Sequence, residues 1–395
     1  MRALLHPLTY IFTQPHTFAR KTGCLILSLL VPRSPQRKIN QKPRSLLILS
    51  YEKAGDALLT TALIRLIKQH LPQTEIYILA WSRNADIYLH DPHITRVLVV
   101  RKGLSWLRLL RTLRRFRFDM LYNPKDHPST TFLLLTLWIR AECKVALHHW
   151  LQDRLYHCAL RSSLHSHTLA KHRPLLEALH IPCEPEDLRP MVYVPLASAQ
   201  RVDRFLERGS PRGLPQMLFN LSARPENQWE VPSWATLGRK VQEGFPDSRM
   251  VILAHPSDHA KARAVCDRIG DRAFCAPPLP TLLDVAALVR RMDLVVSPDT
   301  SIVHLCSALN IPLVGLYPAE GRSLANYAPW RIPHRVVRSH NRKVRSIRPG
   351  EVYAALVALW SEIAITARER AATSLLKSPE LSQSDAGVSR IASDG

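Results

Sequence analysis

The sequence predicts an α/β protein with two domains, each built on a parallel β-sheet covered by helices. Two observations support this fold class. Strand-like and helix-like segments alternate along most of the chain, and the alternation begins again after a Gly- and Pro-rich linker at 209–215. The length of 395 residues fits two or three domains of about 150 residues each, and hydrophobic residues, at 46%, suffice for packed cores.

The first domain is predicted from an apolar strand at 45–50 and from a helix over 56–70, whose leucines recur at helical spacing. Pro72 ends this helix, and 75–80 is the next strand. The alternation continues through a strand at 97–100, a helix at 104–116 and a strand at 119–122.

The second domain repeats the pattern. Its strands are predicted at 217–221, 250–254, 294–297 and 312–316. Its helices are predicted to begin at Trp234, His259, Leu282 and Ser301, with a last helix over about 350–369. We therefore expect two Rossmann-like domains that face a cleft, because open parallel sheets bind ligands beyond the carboxyl ends of their strands.

The predicted domain limits are 45–208 and 209–370, with a segment outside the folded core at each end. Residues 1–44 are a basic, irregular leader, expected to be disordered or membrane-associating. Their apolar run at 24–31 is far shorter than the roughly 20 residues that a spanning helix needs. Residues 371–395 are rich in Ser and Ala and are predicted to be a disordered tail.

The charge balance favours an anionic partner. Lys and Arg number 54 against 32 Asp and Glu, a net charge of +22. An acidic membrane surface or a phosphorylated substrate fits this charge, whereas no nucleic-acid reader motif accompanies it. The 13 glycines form neither G-x-G-x-x-G nor a P-loop, so phosphate would be bound by helix N-termini and side chains.

Cysteine and histidine patterns predict no metal site. The seven cysteines are scattered without C-x-x-C, as expected for reduced thiols in the cytosol. His148-His149 and His165-Ser166-His167 have no further ligand at suitable spacing, which favours solvated or hydrogen-bonding roles.

Asp56 is the first candidate site residue. The turn 52–56 follows the first strand, so its acid lies at the carboxyl end of a parallel strand and opens a helix. Asp is also a favoured helix N-cap. The pattern leaves both roles open, a ligand-facing acid and a cap.

The segment 295–304 is the second candidate. Asp299 ends a buried strand, and Thr300 and Ser301 start a helix, whose first N–H groups attract phosphate. His304 lies one turn further along, on the side of Thr300. A phosphate site fits this pattern, and so does a capping Asp with a surface His.

The polar loop 220–230 is the third candidate. It offers the Ser222 hydroxyl and the Arg224 guanidinium group, which suit a diphosphate. A polar surface loop is the alternative.

Basic residues crowd the segment 101–117. On a helix, Arg108, Arg111 and Arg115 fall on one face, which suits anionic lipid headgroups or a phosphorylated acceptor. A solvated charged face is the alternative. The apolar surface of this helix is expected to come from Trp106, Leu109, Leu110 and Leu113.

In this order, these segments resemble the heptosyltransferase family, glycosyltransferase family nine, over roughly 45–360. The first match is the strand at 46–50, the Gly55-Asp56 turn and a Leu-rich helix. The second is Val296-Ser-Pro-Asp-Thr-Ser-Ile-Val-His304, similar to a strand followed by Asp-Thr-Gly and a later His. The loop ending at Trp229 is similar to a Trp-Pro loop of the family, and comparable segments lie at 118–123 and 171–180.

The resemblance implies a GT-B fold and an inverting, metal-independent transfer of heptose from ADP-heptose to the lipopolysaccharide core. No cofactor besides the nucleotide-sugar donor is implied, and the enzyme is expected to be cytoplasmic and peripheral on the inner membrane. It implies that Asp56 is the general base and that Asp299 contacts the sugar. The other donor-binding residues are expected to be Ser222, Arg224, Thr300, Ser301 and His304, and Arg108, Arg111 and Arg115 are expected to face the acceptor or the membrane.

The sequence departs from the family pattern at two donor positions. Ser301 stands where relatives usually have glycine, and Asn227 stands where they commonly have lysine. Arg224 or Lys53 is a possible replacement for that cation. Residues 50–54 also lack the usual Arg and Ser. Two alternatives to a heptosyltransferase therefore stay open. The first is an enzyme with the same scaffold that uses another nucleotide-sugar donor, and the second is a non-catalytic nucleotide-sugar-binding or assembly protein.

Overall fold

A computed structural model describes residues 15–39, 41–50, 53–101, 103, 105–163, 166–207, 214–319 and 323–376. In these residues two six-stranded sheets form the two domains, and their strand pairs are parallel. The predicted α/β class with two parallel-sheet domains is confirmed.

The first sheet consists of β1 (Ser45–Leu49), β2 (Glu75–Trp81), β3 (Arg96–Val100), β4 (Phe118–Asn123), β5 (Ala141–Leu147) and β6 (Cys158–Leu160). Its strand order is β3-β2-β1-β4-β5-β6, so the winding reverses between β1 and β4. The accompanying helices are α1 (Pro15–Leu30), α2 (Ala54–His70), α3 (Asp86–Leu89), α4 (Ser105–Arg115), α5 (Thr130–Trp138), α6 (Arg173–Ala178) and α7 (Leu196–Glu207).

The second sheet has the same plan. Its strands are β7 (Gln216–Asn220), β8 (Arg249–Leu253), β9 (Ala273–Cys275), β10 (Leu294–Pro298), β11 (Leu313–Tyr317) and β12 (His334–Arg338), in the order β12-β11-β10-β7-β8-β9. Its helices are α8 (Val231–Gly244), α9 (His259–Ile269), α10 (Leu282–Val289), α11 (Ser301–Leu309), α12 (Ser323–Tyr327) and α13 (Pro349–Leu376).

Four of these strands were not expected from the sequence. β5 and β12 mix charged with apolar residues, and β6 and β9 have three residues each, so neither alternation nor an apolar run marks them. They lie at or next to the sheet edges, where most of their side chains are only partly buried. The central strands predicted from the sequence, which are mainly apolar, are all present.

The predicted terminal segments are more ordered than expected. Within the leader, Pro15–Leu30 is the helix α1, which buries Cys24 and Ser28 against the first domain, so an irregular conformation there is wrong. The helix α13 continues to Leu376, so the predicted tail begins inside a helix. It is held on the second sheet by its buried Val352, Leu356 and Leu359. Residues 1–14 and 377–395 lie outside the described residues.

The two domains meet where α2 packs against α11. A Cβ atom placed on Gly55 would lie 2.8 Å from Cδ2 of His304, so the absence of a side chain allows this close approach. A second contact joins Thr168 N–H to the carbonyl of Asn326 at 3.0 Å. The carboxyl ends of β1 and β10, which lead into α2 and α11, therefore face each other across the cleft.

Candidate active site

Asp56 lies in the first turn of α2, just after the turn that leaves β1. The N-cap of α2 is Lys53, and no side chain caps the helix, so the capping role that the sequence left open for Asp56 is wrong. Asp56 is buried, with 8% of its surface exposed. Glu52 of the predicted turn lies outside the described residues. Asp56 is thus a buried acid at the carboxyl edge of the first sheet.

Tyr327, at the end of α12 in the second domain, lies close enough to Asp56 for its hydroxyl group to act on the pKa of that acid. Burial raises the pKa of Asp56, and the charge of Lys53 and the Tyr327 hydroxyl act against that rise. Burial also raises the pKa of Tyr327, so its hydroxyl stays protonated. An acid with a raised pKa is a stronger base once ionised, which suits deprotonation of a hydroxyl group.

A second polar cluster, which the sequence analysis did not identify, follows β4. Nζ of Lys171 donates to Oδ2 of Asp126 at 2.6 Å, and Nδ1 of His127 lies 3.0 Å from Oδ1. Burial acts to raise the pKa of Asp126, but the hydrogen bonds from His127 and Lys171 outweigh it and hold this pKa well below its ordinary value. The charges of His127 and Asp126 also act on Asp56. A polar run directly after a predicted strand was the available signal.

Asp299 follows β10 directly, on the second-domain side of the cleft. Its carboxylate accepts a hydrogen bond from Ser323. Burial raises the pKa of Asp299, whereas Ser323, Arg224 and Lys53 act to lower it. Since Lys53 belongs to the first domain, cations of both domains act on this one acid.

Thr300 and Ser301 begin α11. Thr300 is the N-cap, and its hydroxyl accepts from the N–H of Ile302 at 3.3 Å, so Thr300 and not Asp299 caps this helix. The side-chain amide of Asn220, at the end of β7, donates to the Thr300 hydroxyl at 3.2 Å. This contact ties the start of α11 to the central strand beside it.

A cavity of about 520 Å³ lies beyond the carboxyl ends of β7 and β8, within the range of small-molecule sites. Its polar lining residues include Ser222, Thr300 and Ser301, and its apolar lining residues include Leu279 and Leu282. The polar side chains at the N-terminus of α11 suit an anionic group, and the apolar side chains suit a flat ring. Of the predicted donor-binding residues, Ser222, Thr300 and Ser301 line this cavity.

His304 does not line the cavity. It is fully enclosed between the domains, where its ring packs edge-on against Tyr327 and lies beside Gly55. Burial lowers the pKa of His304 to about 3, so the imidazole is neutral near pH 7. The expectation of a surface His is therefore wrong, and an added positive charge near a diphosphate does not come from this residue.

Lys261 is a cation at the cavity that the sequence analysis missed. Its Nζ donates to Oδ1 of Asp258 at 2.8 Å and to Oε1 of Gln228 at 3.1 Å, and both partners line the cavity. Asp258 in turn accepts from the Ser222 hydroxyl at 2.9 Å. Asn227, at the position of the usual lysine, is buried in a 3₁₀ turn. Lys261 lies in the first turn of α9, and its proximity to 222–228 arises only from the fold.

The basic residues of α4 lie where the helical spacing put them. Arg108, Arg111 and Arg115 are exposed. Leu109 and Leu113, expected to add apolar surface, are instead buried in the core of the first domain, because an amphipathic helix turns its apolar side to the sheet. The exposed face of α4 is therefore mainly cationic.

Among the described residues, no group of three His, Cys, Asp or Glu side chains is arranged to hold a metal ion. Nδ1 of His148 pairs with Oδ2 of Asp153 at 2.6 Å, and Nε2 of His167 lies 3.1 Å from the carbonyl oxygen of Ala328. Both histidines thus have hydrogen-bonding roles. No helix in the described part of the chain has the length and apolar character needed to cross a bilayer.

Two facing α/β domains, with a buried acid at the edge of one sheet and a cavity at the edge of the other, have the fold of the GT-B type. The sequence model of glycosyltransferase family 9 (heptosyltransferase) matches residues 106–353. This match covers more than half of the chain, and the chain belongs to that family.

Individual relatives are distant. The lipopolysaccharide core heptosyltransferase OpsX of Haemophilus influenzae is 23% identical over 293 residues, which cover 70% of this chain and 80% of OpsX. A family 9 glycosyl transferase from Veillonella parvula has a similar structure, with a TM-score of 0.71, 18% identity, and coverage of 83% and 100% of the two chains. The structure of the E. coli heptosyltransferase WaaC with ADP is also similar, with a TM-score of 0.66 and 15% identity. The match covers 80% of this chain and 99% of WaaC.

Proposed function

We propose that this glycosyltransferase transfers heptose from ADP-heptose to a sugar of the lipopolysaccharide core, with inversion at the anomeric carbon. The observation that supports it most directly is the position of Asp56, a buried acid with a raised pKa that lies across the cleft from Asp299. The names of the similar proteins, a lipopolysaccharide core heptosyltransferase and a heptosyltransferase with ADP, support the donor and acceptor classes.

The donor is proposed to occupy the second-domain cavity. The adenine would lie against Leu279 and Leu282, and the diphosphate would face the N-terminus of α11 at Thr300 and Ser301. Lys261 and Arg224 would add positive charge in place of the lysine that Asn227 replaces. Asp299, next to Thr300, would then accept hydrogen bonds from heptose hydroxyl groups.

The reaction is proposed to be a single displacement. Asp56 accepts the proton of the acceptor hydroxyl while that oxygen attacks the anomeric carbon from the side opposite the diphosphate. The bond between the anomeric carbon and the phosphate oxygen breaks, and its electron pair leaves with ADP. Attack from the opposite side inverts the anomeric centre, and one base is sufficient for it.

Charge on the departing ADP is proposed to be stabilised by the protein's own groups. The first N–H groups of α11, the hydroxyl of Ser301 and the ammonium of Lys261 are available at the cavity. We therefore propose a metal-independent transfer, with the nucleotide sugar as the one small molecule required besides the acceptor.

The acceptor is proposed to enter at the first domain. His127 and Lys171, joined through Asp126, lie near Asp56, and Lys53 stands at the start of α2. These donors suit the phosphate or carboxylate groups of a lipopolysaccharide core. Action at the cytoplasmic face of the inner membrane is proposed because the exposed arginines of α4 suit anionic headgroups.

The test is a transfer assay with purified chain, ADP-heptose and a truncated core acceptor. ADP release should depend on both substrates, and NMR of the product should show the inverted anomer. EDTA should leave the rate unchanged, and loss of turnover that magnesium or manganese restores would contradict the charge-stabilisation scheme. Binding of ADP-sugars without turnover would favour a nucleotide-sugar-binding protein, which Asn227 and Ser301 make the second candidate. Turnover with only UDP- or GDP-sugars would contradict the donor.

A further inference from the structure

The helices α1, α5 and α4 form one layer over the same face of the first sheet. Buried residues from all three belong to one core cluster, among them Cys24, Leu133 and Leu113. A Cβ on Gly23 of α1 would lie 3.0 Å from Cγ2 of Thr130, so α1 and α5 approach closely. The indole N–H of Trp138 donates to the carbonyl of Leu110 at 2.8 Å and joins α5 to α4.

The outer side of this layer is unusually apolar. Seven large apolar residues of α1 and α5, which we call the leucine surface, are 37% to 75% exposed. They are Leu25, Ile26, Leu29, Leu30, Leu134, Leu137 and Trp138. Single exposed leucines are common on soluble proteins, but a contiguous set on two adjacent helices marks an interaction site.

The packing of α1 does not account for this exposure. α1 turns Cys24 and Ser28 to the core, and Leu29 and Leu30, the most exposed of the set at 64% and 75%, point away from it. A helix bound only to the domain would be expected to present polar residues there. The leucine surface therefore needs a partner to remove it from water.

Cations border the leucine surface. The guanidinium of Arg114 stacks over the ring of Trp138 at 4.2 Å, and Arg108, Arg111 and Arg115 are exposed on the same helix. Arg33, just beyond the end of α1, is exposed on the other side. Apolar side chains next to basic ones are the composition of helices that lie in the interface of an anionic bilayer.

We infer that the leucine surface docks on an anionic phospholipid bilayer, with its apolar side chains among the acyl chains and the α4 arginines at the headgroups. A second copy of the chain fits the leucine surface less well than a bilayer does. Pairing would bring together two arginine-rich helices, and each copy carries a net charge of +22. An anionic bilayer instead offers acyl chains to the leucines and negatively charged headgroups to the arginines.

Docking in this way would place the cleft near the membrane. α5 begins at Thr130, three residues after His127 of the cluster near Asp56. A lipid-anchored acceptor held in the same bilayer would reach that cluster without leaving the membrane. This consequence rests on the proposed function, whereas the docking itself does not.

The test is co-flotation of the whole chain with vesicles of phosphatidylcholine and phosphatidylglycerol. The variant Ile26→Glu/Leu29→Glu/Leu30→Glu should lose at least about tenfold in partitioning, also at high salt where charge attraction is screened. A matched control replaces the equally exposed Leu89, Leu196 and Ile365 with Glu and should bind like wild type. Arg108→Glu/Arg111→Glu/Arg115→Glu should weaken binding mainly at low salt.

Thermal shift with ADP confirms that each variant is folded and binds donor. Unchanged flotation of the α1 variant overturns the inference, and so does equal loss in the control. A wild-type dimer that the α1 variant converts to monomer, without vesicle binding, would assign the surface to a second copy instead. Failure of heptose transfer with intact flotation would contradict the proposed function and leave the docking surface standing.

Discussion

The hydroxyl of Tyr327 in the second domain lies near the carboxyl group of Asp56 in the first and acts to lower the pKa of that acid. Tyr327 is held in place because its carbonyl accepts from the hydroxyl of Tyr317 at 3.0 Å and its ring packs on His304. The protonation of Asp56 therefore depends on the position of the other domain. Opening of the cleft would remove one of the groups that keep Asp56 ionised.

Tyr327→Phe should shift the pH dependence of transfer. The Tyr327 hydroxyl acts to lower the pKa of Asp56, so its removal raises this pKa further, and the acid limb of kcat/KM moves to higher pH. At a pH well above this limb the variant should approach the wild-type rate. A profile of kcat/KM against pH gives the position of the acid limb in wild type and variant. An unshifted acid limb would show that Tyr327 does not act on the pKa of Asp56.

Gly55→Ala should strain the contact between the domains. A Cβ there would lie 2.8 Å from Cδ2 of the enclosed His304 ring, and overpacking of this kind costs about 1–3 kcal/mol. Unfolding in urea measures the loss. In the double variant with His304→Ala the two costs should not add, because the smaller side chain makes room for the new methyl group. Additive losses would mean that the two residues are not in contact in solution.

Acidification should destabilise the protein through its enclosed histidines. Burial lowers the pKa of His304 to about 3 and those of His167 and His172 to about 4. The unfolded chain binds these protons near pH 6.5 and the folded chain does not, so stability falls as the pH drops below 6.5 toward 4. Thermal unfolding at several pH values measures this slope, and His304→Gln should make it shallower. If the stability of His304→Gln depended on pH as steeply as that of the wild type, the His304 ring would be exposed to water and not buried.

Lys261→Ala should weaken donor binding. The ammonium group bridges Asp258 and Gln228 at the polar side of the cavity, and a charged hydrogen bond to phosphate is worth about 1.5–3 kcal/mol, or roughly ten- to a hundredfold in Kd. Lys261→Arg should keep most of the affinity. The control Lys38→Ala changes an exposed residue on the far side of the first domain and should keep all of it. Calorimetry measures the Kd for ADP of the three variants, and a wild-type Kd for Lys261→Ala would show that Lys261 does not contact the donor.

The sequence predicted those parts of the site that follow directly from a central strand. Asp56 and Asp299 come after apolar strands, so the rule for the carboxyl ends of parallel strands was sufficient to place them. Tyr327 and Lys261 stand on helices, and only tertiary packing brings them to the site. The family resemblance implied that His304 contacts the diphosphate, but its turn of α11 faces the other domain. The sequence left open whether the leader is disordered or membrane-associating, because a short apolar run looks the same whether its leucines face inward or outward.

Asp56→Asn should give a folded, donor-binding protein with little activity. Loss of a general base lowers rates by about 10²–10⁴, so kcat should fall at least about a hundredfold. The Kd for ADP should change little, because the cavity is lined by second-domain residues. Stability at pH 8 should be unchanged or higher, since burial disfavours the ionised carboxylate that Asn replaces. Rapid-quench assays, calorimetry and thermal unfolding measure these three quantities. Near-normal turnover would rule out Asp56 as the base, whereas loss of ADP binding together with activity would indicate that Asp56 supports the donor site instead.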